Sequence, residues 1–273
     1  MAKGRELKSY GDFQRAIRQG FGQGSGTDYK PWLRVNDVKS KGLSTKIKGI
    51  TSHRTHQFVS SIETQFFYFA DHEPGVIDIR EQFPLLPLNL SIRIASELGI
   101  KHPRVPGTSV ENVMTTDFLL TVLTSSGERY LAVSAKPRDK LCDKRTMEKQ
   151  EIERQWWSIL GVPFRVFCGD DNTSIQARNL ADISAPCRRG YSLKPQLVDR
   201  ASKVITTGIF RLDQCIDRLK KQCGITTNQA RNLLLSLIHA GYLVVPLESP
   251  IIENGVVKIV DTRFKKQANA YSA

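Results

Sequence analysis

Asp117-Phe118-Leu119-Leu120-Thr121-Val122-Leu123-Thr124 and Arg129-Tyr130-Leu131-Ala132-Val133-Ser134-Ala135-Lys136 are two β-rich runs separated by Ser125-Ser126-Gly127-Glu128, the pattern of a hairpin. With the turn centred between Ser126 and Gly127, Asp117 falls directly opposite Lys136. Opposed side chains share a face, with Cβ atoms ~5 Å apart. Ser134 then joins Lys136 on that face. Ala135 points away, and its backbone carbonyl stays near the strand end that Pro137 marks. A carboxylate and an ammonium at one rim of a sheet can assemble a phosphodiester-cleaving centre.

Working outward, the neighbouring segments supply an α/β framework. Ile62, Phe66 and Phe69 recur at helical spacing between Ser60 and His72, which puts Glu63 in the first turn of an amphipathic helix. Val76-Ile77-Asp78-Ile79-Arg80-Glu81-Gln82-Phe83 alternates apolar and polar residues before Pro84 and reads as a strand. A short helix is expected over Ile92 to Leu98, a longer one over Asp143 to Leu160, and a strand over Phe164 to Cys168.

Phosphodiester cleavage calls for a hard cation, which lowers the pKa of water and neutralises charge growing on the phosphorane and the leaving oxygen. Magnesium suits carboxylate ligands and keeps several waters; manganese can substitute for it. In that chemistry Asp117 is the central ligand, Glu63 a second one from the helix, and the Ala135 carbonyl a third. Lys136 orients or deprotonates the attacking water, or stabilises the transition state as a point charge. Each residue also has a local explanation. Ser60-x-x-Glu63 matches a capping box, and Asp117 opposite Lys136 matches a cross-strand ion pair worth ~0.2–1 kcal/mol. Spacing alone leaves both readings open.

Bulk properties favour a polyanionic partner. The chain has 273 residues, a formal net charge of +13 and 40% hydrophobic residues, which suits two domains. Residues 1–60 hold twelve Lys or Arg against four Asp or Glu, so eight of the thirteen net charges lie there. Residues 1–55 therefore read as a basic arm of the first domain. Its run Gly20-Phe21-Gly22-Gln23-Gly24-Ser25-Gly26 suggests a flexible entrance able to settle on phosphates, with Tyr29 and Trp32 as anchors. No apolar stretch reaches the length of a membrane span and no secretory signal is visible, so a cytoplasmic location is expected. Five scattered cysteines read as reduced thiols, and His53-x-x-His56 is too isolated to claim a metal.

Composition changes after Asp170. Polar residues with Pro186 and Arg188-Arg189-Gly190 suggest a linker over 171–195. Helices follow at Leu212 to Gln222, stopped by Gly224, and at Thr227 to Ala240, stopped by Gly241. Val244-Val245 and Val256 to Val260 are expected to pair as a small hairpin. Together these suggest a winged-helix-like domain over 196–273, with Asn228, Gln229, Arg231 and Asn232 on its second helix available to DNA.

From Ser60 through Trp157 the chain resembles TnsA, the endonuclease subunit of heteromeric cut-and-paste transposases. The matching stretches are Asp78-Ile79-Arg80-Glu81-Gln82-Phe83-Pro84-Leu85-Leu86-Pro87, Gly99-Ile100-Lys101-His102-Pro103, Thr116-Asp117-Phe118, Lys136-Pro137 and Arg145-Thr146-Met147-Glu148-Lys149-x-Glu151-x-Glu153-Arg154. The resemblance implies a restriction-endonuclease-like fold over 56–170, a mixed sheet with flanking helices. It also implies a site made of Glu63, Asp117 and Lys136. Ser134 stands where the family usually has glutamine; its shorter side chain reaches a cation only through a water. Glu153, on the following helix, has two readings, a support behind the metal ligands and, favoured by the alternating charges around it, part of a solvated helix face. The implied activity is magnesium-dependent nicking at the 5′ ends of a transposon. The implied partners are transposon-end DNA, a DDE-type TnsB-like transposase and a TnsC-like AAA+ ATPase that docks on the C-terminal half. The rival expectations are an independent restriction or repair nuclease, and a noncatalytic winged-helix DNA-binding regulator.

Overall fold

The computed structural model describes residues 4–37 and 44–264 of the chain. Two compact units meet in sequence at Asp170 and Asp171. The first contains α1 (Tyr10–Arg18), β1 (Thr45–Lys48), β2 (Thr55–Phe58), α2 (Ser61–His72), β3 (Val76–Pro84), α3 (Leu88–Glu97), β4 (Thr115–Thr124), β5 (Gly127–Pro137), α4 (Lys144–Ile159) and β6 (Phe164–Gly169). Its central sheet runs β3-β4-β5-β6. The first three strands are antiparallel, and β6 lies parallel to β5 after the crossover through α4.

Both faces of this sheet are covered, which explains why β4 and β5 read as nearly continuous apolar runs. Phe118, Leu120, Val133 and Ala135 pack with Ile62, Phe67 and Ala70 of α2. The alternate residues Leu119 and Ala132 pack with Ile94 and Ala95 of α3 and with Ile152, Trp156 and Trp157 of α4.

The hairpin is tighter than its sequence suggests. Thr124 pairs with Gly127 and Phe118 with Val133, so only Ser125 and Ser126 form the turn, and Gly127 adopts φ +99° at its exit. Two-residue connections match the right-handed twist of the strands they join. The register is therefore offset by two from the expected one. Carried one step further, it sets Asp117 across from Ser134 rather than Lys136. An offset of two preserves the face of every side chain, so Lys136 still projects on the side of Asp117.

The N-terminal arm is also revised. Residues 1–3 and 38–43 lie outside the described residues, but 4–37 fold against the sheet instead of forming a loose entrance. Phe13, Ala16 and Trp32 share a core cluster with Val105 and Val113. The Trp32 N–H donates to the Gln82 carbonyl at 3.2 Å, the Tyr29 hydroxyl to the Glu81 carbonyl at 3.0 Å, and the Gly26 N–H to Asp78 at 3.2 Å. The glycine-rich run thus lies along the edge strand β3, where a Cβ at Gly22 would strike the Pro84 ring. Covering an edge strand in this way removes a site of uncontrolled pairing.

The second unit contains α5 (Asp171–Arg188), α6 (Pro195–Ser202), β7 (Gly208–Arg211), α7 (Leu212–Cys223), α8 (Thr227–His239), β8 (Leu243–Val244), β9 (Ile252–Glu253), β10 (Val256–Ile259) and β11 (Asp261–Thr262). Most of the expected linker is helix α5, with Ala177, Leu180 and Ile183 buried at three-residue spacing; Pro186 and Gly190 mark the end of that helix. Asn179 anchors it by donating to the Leu247 and Ser249 carbonyls at 2.9 and 2.7 Å and accepting from the Ile251 N–H at 3.1 Å. α7 and α8 appear as expected, with Gly224 at φ +65° closing α7. The expected hairpin is rearranged. β10 pairs with β9 across Asn254-Gly255 and with β7 on its other side, while β8 pairs with β11. Residues 265–273 of the expected C-terminal domain lie outside the described residues. No helix among the described residues is long and apolar enough to cross a membrane.

Candidate active site

Asp117 sits where β4 and β5 part company, and the strand ladder itself holds its carboxylate. Its Oδ2 accepts from the Ala135 backbone N–H at 2.8 Å, from the Ser134 hydroxyl at 3.2 Å and from Lys136 Nζ at 2.6 Å. A carboxylate oxygen with three donors is fixed in orientation. Ser134 is fully buried and spends its proton on Asp117. The Ala135 carbonyl faces the same corner, 3.3 Å from Lys136 Nζ.

Glu63 arrives from the first turn of α2. Ser60, the N-cap, accepts from the Glu63 N–H at 3.3 Å and donates its hydroxyl to Glu63 Oε1 at 2.6 Å, and the Val59 N–H donates to Oε2 at 3.2 Å. Ser60 thus caps the helix as the sequence suggests, but the Glu63 carboxylate takes the Val59 N–H in place of the Ser60 N–H, so the reciprocal half of the capping box is not made. Between the two carboxylates lies Gln82, whose Nε2 is 3.4 Å from Glu63 Oε2 and 3.5 Å from Asp117 Oδ1. Burial, and after it the Asp117 charge, raise the Glu63 carboxyl to about 7.

Glu153 belongs to this corner, contrary to the solvated face expected for it. It is only 5% exposed, and burial followed by the charge of Asp117 raises its carboxyl to about 8; Thr116, which hydrogen-bonds to it, in turn accepts from Trp157 Nε1 at 2.6 Å. The signal was present in the sequence, because Glu153 precedes Trp156 and Trp157 by three and four residues and so shares their helix face. Gln82 was missed as well. Its trace is the run Arg80-Glu81-Gln82, which places three polar residues in succession in an otherwise alternating strand. Burial alone would lower the Lys136 ammonium, but Asp117 and Glu153 outweigh it and hold the group above its usual value.

A carboxyl raised on folding destabilises the fold as pH climbs from its unfolded value to its folded one, because the unfolded chain releases the proton first. For Glu153 that window runs from 4.5 to about 8. Glu153→Gln in cation-free buffer is expected to flatten the loss of stability across this window, by a few kcal/mol at pH 8. Urea midpoints measured from pH 5 to pH 9 test this. A variant that loses stability as steeply as the wild type would show that Glu153 carries no such penalty.

Three acidic side chains thus surround one ammonium in a largely buried corner. Among the described residues no three His, Cys, Asp or Glu side chains form a metal-binding group, so the oxygen donors on offer are the Glu63 and Asp117 carboxylates and the Ala135 carbonyl. That set suits a hard divalent cation that retains part of its water shell.

The family described as TnsA-like endonuclease N terminal matches residues 73–169. The chain is also 39% identical over 180 residues to the transposon Tn7 transposition protein TnsA of Escherichia coli, an alignment that takes in 66% of this chain and 64% of that protein. Over this stretch the chain is similar to TnsA. Both comparisons bear out the resemblance read from the sequence. The chain matches just under two thirds of the length of this relative.

Within the TnsA-like match fall Gln82, Asp117, Ser134, Lys136 and Glu153, whereas Glu63 lies ten residues before it. In the second unit, Asn228, Gln229 and Arg231 are exposed on α8 and Asn232 is partly so. Gln229 is committed to its own helix, because its side chain accepts from the Thr226 N–H at 2.9 Å in a capping box.

Proposed function

We propose that this chain is a magnesium-dependent DNA endonuclease that nicks the 5′ ends of a transposon, beside a DDE-type TnsB-like transposase acting at the 3′ ends and under a TnsC-like AAA+ ATPase. The observation that carries this reading is the convergence of Glu63, Asp117 and Lys136 on one sheet rim in a TnsA-like chain. Glu63, Asp117 and the Ala135 carbonyl would hold the cation, which when bound would supply a more acidic water and neutralise charge on the phosphate. Ser134 and the Ala135 N–H keep Asp117 aimed. Lys136, with 29% of its side chain exposed, is the group in this corner that can reach a phosphate oxygen. The net charge of +13 favours a polyanionic substrate.

The second unit is read as winged-helix-like, on the strength of α7, α8 and the β9–β10 hairpin, and as the docking module for the ATPase. Its exposed Asn228 and Arg231 are free for contact with DNA as well.

Strand-specific cleavage of a duplex carrying transposon ends, with magnesium or EDTA and with or without transposase and ATPase, tests the proposal. Magnesium-dependent 5′-end nicks that require the partners are expected. Cutting by the chain alone at unrelated sequences would point to an independent nuclease. Inactivity under every condition would point to a noncatalytic regulator.

A further inference from the structure

Gln82 is a polar side chain in this corner whose amide nitrogen is only weakly committed. It is 3% exposed and holds φ +49°, a left-handed conformation that costs a non-glycine residue energy and persists only where its surroundings enforce it. Here the neighbours enforce it. Trp32 of the arm donates to the Gln82 carbonyl, and Glu81 and Phe83 on either side are held in register by Phe118 and Thr116 of β4. The effect is to turn the carboxamide into the gap between Glu63 and Asp117, where its nitrogen makes two long contacts of 3.4 and 3.5 Å. The Oε1 atom accepts from the Thr115 hydroxyl at 3.0 Å. A hydroxyl donates or accepts with equal ease, so turning the carboxamide by half a revolution keeps the Thr115 bond and puts an oxygen where the nitrogen stood.

Resting on the proposed cation site, we propose that Gln82 is a third side-chain ligand: its carboxamide turns nitrogen inward between the two carboxylates in the free protein and oxygen inward on binding a divalent cation. Two neighbours of that position are unsuited to it. Ser134 Oγ is committed to Asp117, and Lys136 is a cation itself. The amide N–H group separates two like charges when no metal does so, and the amide oxygen adds a neutral hard donor when one is bound.

Manganese binding, followed by electron paramagnetic resonance and by calorimetry on the full chain without DNA, separates this inference from the reading beneath it. Gln82→Met, similar in length and without a hard donor, is expected to weaken manganese about tenfold; Gln82→Glu, which keeps an oxygen at the same reach, is expected to bind at least as tightly as the wild type. A purely structural role predicts that both variants lose affinity together, and this outcome, or unchanged affinity in Gln82→Met, overturns the inference. Asp117→Asn serves as the control. If the wild type binds manganese no better than Asp117→Asn, the cation site itself is wrong. Melting temperatures in EDTA identify any variant whose fold is lost. If Gln82→Met unfolds, the Glu variant and Gln82→Asn, whose shorter amide tolerates positive φ, decide the matter: equal weakening in the two overturns the inference.

Discussion

Asp117→Asn is expected to lower magnesium-dependent strand cleavage by about 10³-fold or more, equivalent to ~4 kcal/mol of transition-state stabilisation, while leaving the fold intact. The substitution keeps an oxygen that can accept from the Ala135 N–H, so the end of the β4–β5 ladder is not broken. It removes the charge that Lys136 pairs with and that helps to push Glu63 up to about 7. Stability in EDTA at neutral pH should therefore stay level or rise. Single-turnover nicking assays with the partner proteins, alongside urea denaturation, measure both halves. Retained cleavage would sink the proposed site, and collapse of the fold would show that Asp117 serves the sheet.

Arg54→Met is expected to cost ~3–5 kcal/mol, a drop of about 10 °C in Tm for a unit of this size. Glu81 has no exposed side-chain surface. Arg54 holds its carboxylate through both terminal nitrogens, with His56 Nδ1 at 2.8 Å. Burial pushes the Glu81 carboxyl up, but hydrogen bonds from Arg54 and His56 outweigh it and bring the group down to about 2. A carboxyl depressed by folding contributes stability above its unfolded value and loses it as pH falls to the folded one, here from 4.5 to about 2. Removing Arg54 leaves that charge with only His56 and the Gln57 N–H as partners, so the variant should unfold at a higher pH than the wild type on acidification. Adding Glu81→Gln to Arg54→Met should restore much of the loss, because the amide needs no counter-charge. A double variant no better than the single would show that Arg54 acts through packing on Tyr29, which it overlies at 5.0 Å.

The residues of the site differ in how visible they are in the sequence. Glu63 and the Asp117-to-Lys136 hairpin could be read from the sequence, because helix caps and β-turns are local signals carried by residues within a few positions of one another. Gln82 and Glu153 left only faint traces. Each lies on an element whose own pattern explains it as polar surface, and each becomes part of the site only when β3, β4 and α4 are brought together.

The same division holds for the fold. The arm's glycines look like flexibility until β3 lies beside them, and α5 looks like a linker until Asn179 meets the 247–251 segment. By itself the sequence determined the types of the elements from α2 to β6 and of α7 and α8, the strand order through the hairpin and the shared face of Asp117 and Lys136, since periodicity and turn chemistry act over short distances. Tertiary structure alone decided the two-residue offset in the hairpin, the burial of Glu153 and the placing of Gln82 between two carboxylates. Those depend on which surfaces exclude water together, and no run of neighbouring residues encodes that.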